Sequence, residues 1–138
     1  MPITNEQAEA NVRRYLALVA GGTAAEIVDL FAEDAVLEDP VGPSFFDPEG
    51  KGHHGHEGIS NFWDIAIAPL VAFSAVITDS FANGNNVANI GVFTTLLADG
   101  TRADTELVAA YRLNDDGKIQ SLRAYWEIDR MMATLRKD

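Results

Sequence analysis

The chain has no cysteine. Disulfides, thiolate nucleophiles and cysteine-based metal sites are therefore excluded, in keeping with a reducing compartment. Positive charge is also scarce: ten Lys and Arg stand against 21 Asp and Glu, a formal net charge of -11. With no basic cluster to offset that field, phosphate backbones and anionic lipid are repelled, so neither a nucleic-acid nor a membrane partner is expected. No apolar run approaches the roughly 18 residues that a bilayer span requires. The segment Met1-Pro2-Ile3-Thr4-Asn5-Glu6 carries neither the basic region nor the apolar stretch of an export signal, and a cytoplasmic protein is expected.

What remains is an ordinary globular composition, 47% hydrophobic and 22% charged. A chain of 138 residues fits one domain over 1–138, large enough to bury a core and enclose a small pocket. Thr4 with Gln7, and Thr23 with Glu26, are capping-box pairs. The first opens a helix over about residues 5–20, with Ala8, Val12, Tyr15, Leu16 and Val19 on one stripe and Gly21-Gly22 at its end. The second opens a short helix that buries Ile27, Leu30 and Phe31. A third, His56 to Ala68, turns Ile59, Phe62, Trp63 and Ile67 inward and stops at Pro69.

From Val71 the apolar period changes from 3.6 to 2. Val71–Phe81, Asn86–Leu97, Thr101–Asn114 and Lys118–Trp126 read as four strands separated by Asn83-Gly84-Asn85, Asp99-Gly100 and Asp115-Asp116-Gly117 turns, an antiparallel meander. In the third of these strands Ala103, Thr105, Leu107, Ala109, Tyr111 and Leu113 form the inward row. The amphipathic segment Glu127–Leu135 follows. Helices followed by hairpins give an α+β architecture with the helices on one face of the sheet.

The stretch Ala35-Val36-Leu37-Glu38-Asp39-Pro40-Val41-Gly42 departs from simple alternation. Asp39 shares its face with Ala35, Leu37 and Val41, so a carboxylate sits in an apolar row. Buried there it loses hydration, its pKa rises, and it suits the role of a general base near neutral pH. Read as a plain Asp-Pro turn, it is solvated instead. Tyr15, midway along the first helical stripe, poses a similar choice, because a buried phenol needs either a backbone carbonyl or a ligand oxygen as its partner. His53, His54 and His56 end a glycine- and proline-rich loop, residues 42–55. No further ligand at metal-binding spacing accompanies them, so solvated loop histidines, no metal and no cofactor are expected.

Arg14-Tyr15-Leu16 followed by the run from Ile27 to Gly42 closely resembles the N-terminal part of the ketosteroid isomerases. Tyr111-Arg112-Leu113-Asn114-Asp115-Asp116-Gly117-Lys118-Ile119 and Leu122-Arg123-Ala124-Tyr125-Trp126 are similar to the last hairpin of that family. The resemblance implies an NTF2-like cone, with a curved antiparallel sheet and three N-terminal helices packed on its concave face, and a homodimer. It also implies a hydrophobic small-molecule substrate and a cofactor-free shift of a carbon-carbon double bond next to a ketone, as on a Δ5-3-ketosteroid. Asp39 matches the family's proton-shuttling aspartate and Tyr15 its oxyanion-binding tyrosine; Phe31, Phe62, Trp63, Leu107, Ala109 and Trp126 are the expected pocket wall.

One departure stands out: the family's second, protonated oxyanion acid falls on Ala109, and two supporting tyrosines of some members fall on Phe31 and Trp63. That leaves a SnoaL-like cyclase acting on a polyketide, or a non-catalytic carrier of a hydrophobic small molecule, as the alternatives.

Overall fold

Thr4 caps α1 (Asn5–Gly21) as its sequence requires. Its hydroxyl accepts from the Gln7 N–H at 3.1 Å, and its own N–H donates to Gln7 Oε1 at 2.8 Å, satisfying two of the donors a helix start leaves free. The buried positions are Ala8, Val12, Tyr15 and Leu16, one stripe at helical spacing. Thr23 and Glu26 repeat the box at α2 (Ala24–Asp29). This computed structural model describes residues 2–137; Met1 and Asp138, the two ends of the expected 1–138 domain, lie outside them.

The chain then runs through β1 (Phe31–Glu38), β2 (His53–His54) and α3 (Gly55–Phe62), which continues as a π-helical turn over Trp63–Ile67. Next come β3 (Leu70–Asn83), β4 (Asn86–Leu97), β5 (Thr101–Leu113) and β6 (Ile119–Tyr125), followed by α4 (Ile128–Met132) and β7 (Arg136–Lys137). Gly84, Gly100 and Gly117, with φ of +61°, +89° and +83°, take the left-handed turn positions that side chains resist.

The sheet is curved and unclosed, in the order β2-β1-β6-β5-β4-β3, with β7 added to the start of β5. Strands β3 to β6 form the expected antiparallel meander. The sheet as a whole is mixed, because β1 pairs parallel with β6. Hairpin turns specify antiparallel partners only between consecutive strands, whereas β1 reaches β6 through the whole intervening chain, a connection long enough for parallel pairing. Of the three N-terminal helices two precede β1, and the third, read over His56–Ala68, is α3 with its π turn. Phe31, expected at the end of α2, is instead the first residue of β1.

His53 and His54 also differ from expectation. They leave the loop to pair with Leu37 and Val36, covering the free edge of β1. Along β5, Ala103, Leu107, Ala109, Tyr111 and Leu113 are buried while Glu106, Val108 and Arg112 are exposed, which is the alternation read from the sequence. This inner face meets α1, and Val12, Ile27, Phe31, Leu37, Ile59, Ile119 and Leu122 are almost wholly enclosed in the core. Among the described residues no helix is long and apolar enough to cross a membrane.

Gly91 of β4 permits the closest strand approach. A Cβ built there would lie 2.5 Å from the Val76 carbonyl oxygen, so the backbone of β3 or β4 must move to admit one. Gly91→Ala is expected to lose about 1–3 kcal/mol, read as a lower urea midpoint; an unchanged midpoint would mean that the two strands separate at little cost.

Candidate active site

Asp39 is the first residue beyond β1, and the pairing of β1 with β6 fixes where it lies. Glu38 is in register with Arg123, their side chains form an ion pair at 3.0 Å, and the Val41 N–H donates to the Ala124 carbonyl at 2.9 Å. These contacts hold the Asp39 turn beside the end of β6. The Trp126 indole follows directly, and its Nε1–H donates to Asp39 Oδ1 at 2.6 Å.

Tyr15 arrives from the other side, on the buried stripe of α1. Its ring meets Phe31 edge-on at 5.6 Å and 84°, and Tyr111 at 6.2 Å and 65°, both favourable aromatic geometries. Asp39 and Tyr15 share a cavity of about 140 Å³. At roughly 30 Å³ of liquid volume per water this is room for about five waters, below the roughly 300 Å³ at which ligand pockets begin, so a ligand larger than that fills it and extends through its mouth.

The cavity wall is almost entirely apolar. Phe73 of β3, Phe93 and Thr95 of β4, and Ala103 and Thr105 of β5 form one side, and they are neighbours in register, with Phe73 opposite Thr95 and Phe93 opposite Thr105. Leu16 and Val19 of α1, Phe62 of α3 and Ile67 of the π turn form another. Phe45 and Phe46 come from the 42–52 loop, stacked edge-on at 4.4 Å, and Phe46 also meets Phe62.

Of the residues expected from the sequence, the structure brings Asp39, Tyr15, Phe62 and Trp126 to the cavity. Phe31, expected in the wall, stands behind Tyr15 in the core, 2% exposed. Leu107 and Ala109 are closed into the core between sheet and helix, because the cavity lies at the Ala103–Thr105 end of β5. Alternation identifies the inward face of a strand but not the position along it. Trp63 lines a separate cleft between the end of α1 and the start of β3. Phe45, Phe46, Phe73 and Phe93 were missed; a Phe-Phe pair inside a glycine- and proline-rich loop was the one local signal.

Burial pushes the Asp39 carboxyl up from 3.8 to about 6, the Trp126 N–H opposing part of that rise. Asp39 keeps some accessible surface because it faces the cavity, and the greasy wall still strips most of its hydration. Tyr15 is held well above the ordinary phenol value, first by burial, then by Tyr111 and the Asp39 charge. Tyr111 is raised by burial and by Asp39 as well. Both phenols therefore stay protonated at neutral pH, beside a carboxylate that titrates just below it. A buried base next to a neutral proton donor suits transfer of a proton from carbon, with charge developing on an adjacent oxygen.

The histidines stand apart from this centre. His54 Nε2 bonds the Lys51 carbonyl and His56 Nε2 the Phe31 carbonyl. The His53 ring packs on Phe62 at 5.1 Å, and burial lowers its pKa. Among the described residues no three His, Cys, Asp or Glu side chains gather as metal ligands do.

Residues 12–122 match the SnoaL-like domain. The chain belongs to the SnoaL-like family. It is 31% identical to the Steroid Delta-isomerase of Nocardioides simplex over 128 residues, 93% of this chain and 96% of that protein. RV0760c from Mycobacterium tuberculosis superposes with a TM-score of 0.86 at 26% identity, over 99% of both chains; that protein has also been solved in complex with estradiol-17beta-hemisuccinate. The Delta 5-3-ketosteroid isomerase from Mycobacterium sp. gives a TM-score of 0.84 at 28% identity, covering 96% of this chain and 98% of that one. Within this SnoaL-like domain Tyr15 and Asp39 lie inside the matched span, while Trp126, the hydrogen-bond donor to Asp39, lies just beyond it.

The raised pKa has a stability consequence whose sign follows from linkage. The folded state holds the Asp39 proton more tightly than the unfolded chain, so this group's contribution is fully present below pH 3.8 and is lost as pH rises to about 6. A shift of about two units corresponds to about 3 kcal/mol. Asp39→Asn is therefore expected to be more stable than the parent at pH 7 by about 1–3 kcal/mol, with the difference shrinking below pH 4; urea midpoints across pH 3.5–8 measure it, and a variant no more stable at pH 7 would mean that Asp39 is not desolvated.

Proposed function

We propose that this protein is a cofactor-free isomerase that moves a carbon-carbon double bond by proton transfer α to a ketone, on a flat, hydrophobic, steroid-like substrate. The observation that carries this reading is a carboxylate with a pKa of about 6 facing an apolar cavity that it shares with a protonated phenol. The names and structures of its relatives support the same substrate class.

In the reaction, Asp39 takes a proton from the carbon between the ketone and the double bond. The electron pair left behind moves onto the carbonyl oxygen as a dienolate, and the Tyr15 hydroxyl donates a hydrogen bond to that oxygen. Protonated Asp39 then returns the same proton at the γ carbon, which leaves the double bond conjugated with the ketone. Trp126 orients the carboxylate and keeps its proton affinity from rising further. The aromatic wall excludes water that would trap the proton.

Conversion of a Δ5-3-ketosteroid to its conjugated isomer, followed by the growth of the enone absorbance, tests this reading. Turnover is expected, with kcat/KM rising through an acid limb near pH 6, and Asp39→Asn is expected to lose about 100- to 10,000-fold. In Trp126→Phe the limb moves to higher pH, because the removed N–H stabilised the charged form. No turnover on the steroid combined with turnover on polyketide-like ketones would assign the protein to the cyclases. Tight steroid binding without deuterium exchange at the α carbon would make it a carrier, a reading that the alanine at position 109 keeps open.

The outer face of the sheet is proposed to pair with a second copy. Ile90, Val108 and Tyr125 lie side by side in register and are 43%, 43% and 46% exposed, an apolar stripe beside an open groove of about 620 Å³. Arg130, paired with Glu106 at 2.8 Å, gives its rim both signs of charge, as a self-complementary face requires. Light scattering is expected to give the mass of two chains, and Val108→Glu the mass of one. A parent that runs as one chain at micromolar concentration would refute the pairing.

A further inference from the structure

The resemblance to the isomerases leaves the oxyanion short of a donor, because Ala109 offers only a methyl group. Two residues further along the same inward row of β5 stands Tyr111. It is 3% exposed, as deeply buried as Tyr15 at 4%, and its ring packs against that of Tyr15 at 6.2 Å. A buried phenol normally finds a partner within the protein, yet among the described residues neither hydroxyl has one. The one fully enclosed side-chain polar atom without a partner among the described residues is His53 Nε2. The Tyr111 hydroxyl is not fully enclosed, although Tyr111 stands in the core against Tyr15 and outside the lining of the cavity. Two neutral phenols packed ring against ring at 6.2 Å, both within the field of Asp39 and neither committed to an acceptor, are placed to donate to one oxygen that reaches past the cavity floor to them both.

We propose that Tyr111 is the second donor of the oxyanion site, its hydroxyl joining that of Tyr15 at the carbonyl oxygen of the bound substrate. This rests on the isomerase reading for its reaction, and on the geometry of the two phenols for its place. The row of β5 supplies the donor from position 111 in place of an acid at 109.

The test uses the intact protein and a fluorescent naphthol, whose absorbance reports how much of the bound phenol is ionised, alongside steroid turnover. Tyr111→Phe is expected to lower kcat by about 10- to 1,000-fold, as for one lost oxyanion donor, with KM changed less than threefold, and to reduce the ionised fraction of bound naphthol at fixed pH. Replacing Tyr111 by 3-fluorotyrosine, a more acidic hydroxyl of nearly the same shape, is expected to raise that fraction, and it serves if the phenylalanine variant does not fold. Ionised fraction and kcat both within twofold of the parent in either variant would overturn the proposal and leave Tyr111 as packing. A parent that binds and ionises the naphthol but turns over no steroid would remove the isomerase reading, while the naphthol arm would still decide the place of Tyr111.

Discussion

A carboxylate largely stripped of water, with a single hydrogen-bond donor among the described residues, is the constraint on which the character of this site depends. Two or three donors would hold Asp39 ionised at low pH, and without any its pKa would lie higher than it does. The Trp126 indole supplies one, at 2.6 Å, and the carboxyl comes to rest near 6. That balance needs β1 beside β6. The parallel pairing, the Glu38–Arg123 ion pair and the Val41–Ala124 backbone bond bring residue 39 to residue 126 across most of the chain.

The rest of the fold supplies the dry space around that carboxylate. Helix α1 carries Tyr15 inward on the same stripe as Val12 and Leu16, so the position of the phenol is fixed by core packing rather than by a loop. The β3–β4–β5 end of the sheet and the Phe45–Phe46 pair complete the wall with aromatic surface, which has few polar groups with which to compete for the proton. Desolvation acts on both kinds of group: it raises the pKa of Asp39, and it keeps Tyr15 and Tyr111 protonated at neutral pH. The energy lost by burying the carboxylate is met by the hydrophobic contacts that build the cavity wall.

The excess of acidic residues lies largely away from this centre. Glu38, Glu106 and Asp104 pair with Arg123, Arg130 and Arg136 on the outer side of the sheet, and partly exposed pairs of this kind contribute little stability. The negative field acts on association, disfavouring polyanions while leaving an uncharged hydrophobic ligand unaffected.

Much of this was legible in the residues. Two capping boxes, the stripe of α1 and the hairpin glycines specify local structure, because their hydrogen bonds and dihedral preferences involve residues only a few positions apart; Asp39 and Tyr15 stood out as polar groups in apolar rows. The sequence did not reveal the parallel seat of β1, the place of Phe31, Leu107 and Ala109 in the core, the hydrogen bond from Trp126 to Asp39, or the packing of Tyr111 on Tyr15. Alternation tells which side of a strand a residue faces, and helical period tells which stripe, but neither says how far along the sheet a helix crosses. That crossing, fixed by long-range packing of the whole core, decided which inward residues became wall, which became core, and which acid came to face the cavity.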